Sequence, residues 1–249
     1  MMVLAMDTSS TVATVALMDE NKLIGEYTIN HKRTHSQKLM PLIAALLEDC
    51  EVKMEQIEVI AVAEGPGSFT GLRIGAATAK GLAHAMDIPV VGISTLDALA
   101  FHLPFCQGLI CPILDARRNQ VYTAIYKWVG GELHAVFPPT AISIEELVEE
   151  LLERTEDVVF LGDGVERNKE FLEESLKRRV RFAPLSVKMP NAASIAELAL
   201  QKAKRGELQH FYDFAPMYLR KSEAERQYET KSKRCEREEC GRCEDSENG

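Results

Sequence analysis

The chain has 249 residues, with 29 Lys and Arg against 38 Asp and Glu, for a formal net charge of −9. Apolar residues at 46% and charged residues at 27% are ordinary for a globular protein and exclude global disorder. The acidic balance excludes a freestanding nucleic-acid binder with a basic surface, but not contact with RNA through a small patch or a partner.

In chain order, residues 1–6 are apolar but too short for a signal sequence, lack a basic leader and run straight into Asp7. Segments 3–6, 12–17 and 23–29 predict short strands, with Asp19-Glu20-Asn21 as a hairpin turn. Within 36–50, Leu39, Leu42, Ile43, Leu46 and Leu47 recur at helical spacing, giving an amphipathic helix with Ser36 as its N-cap. Residues 57–63 are a nearly continuous apolar run, as a buried strand requires. A Gly-rich loop, a helix over 71–86, a strand over 89–93 and a helix near 95–102 follow. Residues 98–114 hold no Asp, Glu, Lys or Arg, but Pro104, Gly108 and Pro112 break them into helix, loop and strand rather than a membrane span. Cys50, Cys106 and Cys111 sit among apolar neighbours as buried thiols do, which fits a reducing cytoplasm. Antiparallel strands followed by strand–helix units predict an α/β fold with a mixed sheet covered by helices.

A weak internal repeat sharpens this expectation. Asp7-Thr8-Ser9-Ser10 follows an apolar strand and precedes a second strand, a polar turn and Leu23-Ile24. Asp115-Ala116-Arg117-Arg118 follows strand 109–114 and precedes strand 121–126, Gly130-Gly131 and Leu133. The same unit thus occurs twice, 108 positions apart, and predicts two related lobes, 1–105 and 106–220. Residues 221–249 carry 7 basic and 9 acidic residues with almost no apolar ones, the composition of a disordered tail. Its C-x4-C-x2-C (Cys235, Cys240, Cys243) lacks a fourth ligand for structural zinc and reads as incidental thiols, the alternative being zinc shared with a partner.

Two motifs could carry chemistry. Asp7 followed by small hydroxyl residues is what a phosphate- or metal-adjacent turn needs, and equally what a β-turn with an Asp side chain on backbone N–H groups needs. Gly65-Pro66-Gly67-Ser68-Phe69-Thr70-Gly71-Leu72-Arg73 follows a buried strand and opens a helix, where free N–H groups could meet an anion. It lacks the Gly-Lys-Ser/Thr of a P-loop and the spacing of a dinucleotide fingerprint.

The longer string, Gly65 to Arg73 with Ile74-Gly75-Ala76-Ala77-Thr78-Ala79-Lys80-Gly81-Leu82-Ala83, resembles the motif shared by the TsaB (YeaZ) and TsaD families. Met6-Asp7-Thr8-Ser9, His35-Ser36 and Asp115-Ala116-Arg117-Arg118 extend the resemblance over most of 2–220. It implies the duplicated actin-like, sugar-kinase-like ATPase superfold, with two lobes each of a mixed sheet flanked by helices. TsaD-type catalytic subunits carry an H-x-x-x-H metal pair after this helix, and here the matching positions are Thr95 and Leu99, neither a substitute for imidazole. The chain therefore looks like the non-catalytic TsaB type, with no metal site of its own. His31 and His35 form another H-x3-H, read as an exposed loop pair.

By the same resemblance, Asp7, Thr8, Ser9, Gly65, Gly67, Ser68, Thr70, Gly71, Asp115, Gly162 and Gly164 would outline a vestigial nucleotide cleft. Asp163, in Leu161-Gly162-Asp163-Gly164-Val165, would place a carboxylate against any triphosphate. Leu39, Ile43, Leu46, Leu47, Arg73, Gly75, Ala76, Ala79, Lys80 and Ala83 would dock a partner, or face the internal core as such stripes commonly do. Arg117 and Arg118 would lie near RNA. The resemblance implies no intrinsic cofactor, ATP or ADP and metal on partner subunits, and a role in threonylcarbamoyl-adenosine formation beside the tRNA anticodon. The implied partners are a TsaD-type subunit, a TsaE-type ATPase, tRNA through the complex, and a second copy when the chain is alone. A self-sufficient ATP-dependent transferase or kinase using Asp7 or Asp115, and a metallo-glycoprotease, are the rival readings.

Overall fold

The structure is a computed structural model that describes residues 1–30 and 35–220. The His31–His35 pair, apart from the backbone of His35, and the cysteine-bearing tail lie outside the described residues.

Strands β1 (Met2–Asp7), β2 (Val12–Asp19) and β3 (Leu23–Asn30) form an antiparallel meander. The turn joining β2 to β3 is built as expected: the Asp19 carboxylate accepts the N–H groups of Asn21 at 2.7 Å and Lys22 at 2.9 Å. Helix α1 (His35–Asp49), strand β4 (Val59–Gly65), helix α2 (Phe69–Met86), strand β5 (Val90–Ser94) and helix α3 (Thr95–Phe101) follow. The second half repeats them as β6 (Leu109–Asp115), β7 (Gln120–Val129), β8 (Glu132–Ser143), α4 (Ile144–Leu152), β9 (Val158–Leu161), α5 (Val165–Leu176), β10 (Val180–Phe182) and α6 (Ala192–Lys204). One sheet runs β3-β2-β1-β4-β5 and the other β8-β7-β6-β9-β10, each with two antiparallel and two parallel pairings in the same places. Asp7 and Asp115 end equivalent strands, so the repeat read from the sequence is a true structural duplication.

Apolar alternation decides which helices cover which face. One face of the first sheet presents Leu4, Met6, Val15, Leu17, Ile60 and Val62 to α1 and α2; the other presents Val3, Ala5, Ala61, Val91 and Ile93 to α6. The second sheet packs Cys111, Ile113, Ile125 and Phe160 against α4 and α5, while α3 lies against β6 and β7 as well as β4 and β5. Helix α6 thus returns to the first sheet although it follows the second in sequence. The chain after it adds Gln209, which pairs with Val90 at the open edge of β5. Met1–Met217 form one compact unit.

Two local expectations need correction. Ser36 is not an N-cap, because α1 already includes His35. The cap of α2 is Ser68, whose Oγ accepts the Gly71 N–H, so that helix starts two residues before Gly71. No helix among the described residues is long and apolar enough to cross a membrane.

Candidate functional site

The first candidate cluster gathers at the C-terminal end of β1. Asp7 Oδ1 accepts the Ser9 N–H at 2.6 Å, the Asx geometry that tightens such turns. Asp7, Thr8, Ser9 and Ser10 are all buried, because the loop after β4 and the first turn of α2 close over them. Thr8 Oγ1 donates to the Gly71 carbonyl at 2.7 Å, and the Ser68 N–H donates to the Ser9 carbonyl at 2.6 Å. A Cβ on Gly71 would lie 1.8 Å from the Thr8 carbonyl oxygen, and one on Gly67 would lie 2.4 Å from that of Ser9. The glycine spacing is therefore set by backbone meeting backbone. Ser9 Oγ is buried and makes no hydrogen bond. Thr70 stays on the surface and Gly65 packs under Met217.

The second cluster repeats this geometry in looser form. The Asp115 N–H donates to Asp163 Oδ1 at 3.0 Å, Asp115 Oδ1 accepts the Arg117 N–H at 2.7 Å, and the Gly164 N–H donates to the Ile113 carbonyl. Gly162, at φ 101°, sits where a Cβ would lie 2.3 Å from the same carbonyl oxygen. Arg117, Arg118 and Asn119 are exposed and all left-handed, at φ 62°, 53° and 57°. Arg167 at the start of α5 donates to Asn119 Oδ1 at 2.8 Å, placing a third exposed arginine beside this turn.

Burial, reinforced by the Asp115 charge, pushes the Asp163 carboxyl above its ordinary value, and the N–H groups it accepts only partly offset this. A carboxyl with a raised folded-state pKa costs stability when ionised, and the cost vanishes once both states are protonated. Asp163→Asn keeps the acceptor oxygen. It is expected to stabilise the chain near neutral pH, with the gain shrinking as pH falls through the carboxylate range. Urea unfolding of both proteins across that range measures it, and a constant difference would refute the assignment.

Metal chemistry finds no purchase at the positions of the H-x-x-x-H pair. Thr95 and Leu99 lie in α3, both fully buried, and offer a hydroxyl and a hydrocarbon. Among the described residues no group of three His, Cys, Asp or Glu side chains could hold a metal ion.

The helical stripe requires the largest correction. Leu39, Ile43, Leu46, Ala76, Ala79 and Ala83 are buried in the core under the first sheet, with Leu47 half-buried against it and Gly75 pressed on Thr8. A stripe that already covers a sheet is not available to a partner. Lys80 is likewise engaged, its Nζ donating to the Tyr212 and Phe214 carbonyls at 3.1 and 2.9 Å. Only Arg73 of the proposed set is exposed. The outward face instead carries Met40, Pro41 and Ala44 on α1, and Thr70, Ala77, Gly81 and Ala85 on α2, with Tyr212 beside His84 at a ring separation of 5.7 Å. A Cβ on Gly81 would meet nothing. The i, i+4, i+8 spacing of Ala77, Gly81 and Ala85 was a readable signal, hidden because α2 carries small residues on its inner face too.

Over residues 22–228 the chain matches the family model described as TsaD, tRNA N6-adenosine threonylcarbamoyltransferase. It is 37% identical over 225 residues to the tRNA threonylcarbamoyladenosine biosynthesis protein TsaB of Bacillus subtilis, covering 90% of this chain and 96% of that protein. The TsaB of Escherichia coli is 29% identical over 90% of this chain and 96% of its own length. Among solved structures, YeaZ from Pseudomonas aeruginosa superposes with a TM-score of 0.72 at 28% identity, covering 88% of this chain and 99% of that one.

Proposed function

Because the chain belongs to the TsaB (YeaZ) family of tRNA threonylcarbamoyladenosine biosynthesis proteins, we propose that it acts there as a docking subunit without catalysis of its own. Its partner would be a TsaD-type subunit, which would hold the metal and transfer the threonylcarbamoyl group to the adenosine amine; nucleotide would be handled by partners, among them a TsaE-type ATPase. The observation that carries this reading is the outer face of α1 and α2. Small residues at 77, 81 and 85 let another helix approach closely, and Gly81 has no requirement inside the chain, although glycine in a helix interior costs about 0.5–1 kcal/mol relative to alanine. The closed turn over Asp7 and Thr8, and Thr95 and Leu99 at the metal-pair positions, support a non-catalytic role.

In the isolated chain the same face would serve a second copy. Arg117, Arg118 and Arg167 would form the RNA-proximal edge, and the −9 net charge would leave most tRNA contact to the partner. The two lobes would each be built on one sheet, with α6 and the segment after it belonging to the first lobe rather than the second, and the place of work would be the cytoplasm.

Ala77→Glu tests the docking face. This exposed substitution is expected to leave the thermal midpoint unchanged and to weaken co-purification with a TsaD-type subunit at least about tenfold, since a bulky charge on a close-packed helix contact is left unpaired. An undiminished complex would remove the assignment.

A further inference from the structure

The far end of β7 carries a feature that the proposed function does not use. A hollow of about 500 Å³ lies between α3, the loop after it, the β7–β8 hairpin and α6. With about 3.3 Å of rise per residue, the ten residues of β7 put it roughly 30 Å from the Arg117 turn. Its walls are aromatic. Trp128 is fixed by donating Nε1–H to the Leu103 carbonyl at 2.8 Å, and it stands 5.7 Å from Phe101 and 6.1 Å from Phe105, ring centre to ring centre. Phe105 is 79% exposed and left-handed at φ 61°, a conformation bulky residues rarely adopt.

Among the described residues the one charged group around these rings is a carboxylate, and Asn191, Ser194 and Gln201 add neutral amide and hydroxyl groups. Glu197 contributes a carboxylate from the exposed side of α6. His102 Nδ1 faces the Val187 carbonyl at 3.0 Å and must donate to it, so Nε2 carries the lone pair; that atom is buried behind the wall, with the Asn191 side chain beside it. Burial also holds His102 below its ordinary pKa, in the neutral form. The first-turn N–H groups of α6, at Ala192, Ala193 and Ser194, donate to Thr14 Oγ1, Glu26 Oε1 and Asn191 Oδ1, so this helix start presents no spare donors to an anion. Among the described residues no Lys or Arg lines the hollow. Lys202 and Arg205 line only the adjoining 430 Å³ depression, where Lys202 Nζ is spent on the Gly92 carbonyl.

Ring faces beside a carboxylate are what a desolvated organic cation requires. We propose that this hollow binds a small alkylguanidinium or alkylammonium ligand, with the cation over Trp128 and Phe105 and its N–H groups toward Glu197.

Trp128 is the single tryptophan of the chain, so its fluorescence reports this hollow and the adjoining depression that it also lines, and the variants below separate the two. Butylguanidinium titrated into the full chain is expected to give a saturable change, with butylurea, its neutral isostere, giving at least about tenfold weaker binding. Glu197→Gln and Phe105→Ala, both at exposed positions, should each weaken the cation about tenfold with unaltered circular dichroism. No saturable response, an equal response to butylurea, or unchanged affinity in Glu197→Gln would each overturn the proposal.

Discussion

Gly71→Ala is expected to destabilise the chain by about 2–4 kcal/mol, seen as a lower urea midpoint at constant m-value. The magnitude follows from what the new Cβ meets. At 1.8 Å from the Thr8 carbonyl oxygen it overlaps backbone, which cannot swing aside as a side-chain tip can. The first turn of α2 would have to lift from the β1–β2 turn, lengthening the Thr8 Oγ1 to Gly71 carbonyl bond of 2.7 Å and the Ser68 N–H to Ser9 carbonyl bond of 2.6 Å. Two hydrogen bonds at about 1 kcal/mol each, added to an overpacking cost of about 1–3 kcal/mol, outweigh the gain of about 0.5–1 kcal/mol that alanine brings to a helix. The result also bears on function. A loop that stands off the turn to admit phosphate would accept the methyl group, so a loss under about 1 kcal/mol would return the glycine string to ligand binding.

The physics behind that prediction separates what was readable in the residues from what was not. Period-two and period-3.6 patterns depend on one face being apolar, so β1 to β5, α1 and α2 were legible, and the Asp7/Asp115 repeat disclosed the duplication before any coordinate. The start of α2 was missed because Phe69 and Thr70 are indifferent helix formers, and the cap at Ser68 is set by its tertiary place beside Ser9. The return of α6 to the first sheet has no local signature, since Ala196, Ala199 and Ala203 would suit either sheet. The residues expected to outline a cleft fall into two turns, one around Asp7 and one around Asp115, and whether their hydroxyls and carbonyls face a ligand or one another is a question of distance. The hollow by Trp128 joins α3, β7 and α6, segments about 30 and 70 residues apart along the chain, a juxtaposition that only the fold makes.

The helix faces give the sharpest case, because α2 is small-residued all round and two readings of it differ by a rotation. Ala79 is fully buried under the first sheet in the cluster that contains Leu4, Met6, Ala76 and Ala83. Ala79→Glu would place a carboxylate there with no basic side chain among the residues of that cluster, at a cost of several kcal/mol, comparable with the whole stability of about 5–15 kcal/mol of an ordinary domain. The chain is expected to lose its cooperative thermal transition or to be recovered only as aggregate. Ala77→Glu, two residues earlier on the same helix, lies on the exposed face and should shift stability by no more than about 0.5 kcal/mol. Two residues correspond to a turn of about 200° around the helix axis, which is why neighbours in sequence have opposite fates. If Ala79→Glu instead melted like the unsubstituted chain while Ala77→Glu unfolded, α2 would be rotated by that angle, the buried stripe would face outward, and the docking surface would have to be redrawn on Ala76, Ala79 and Ala83.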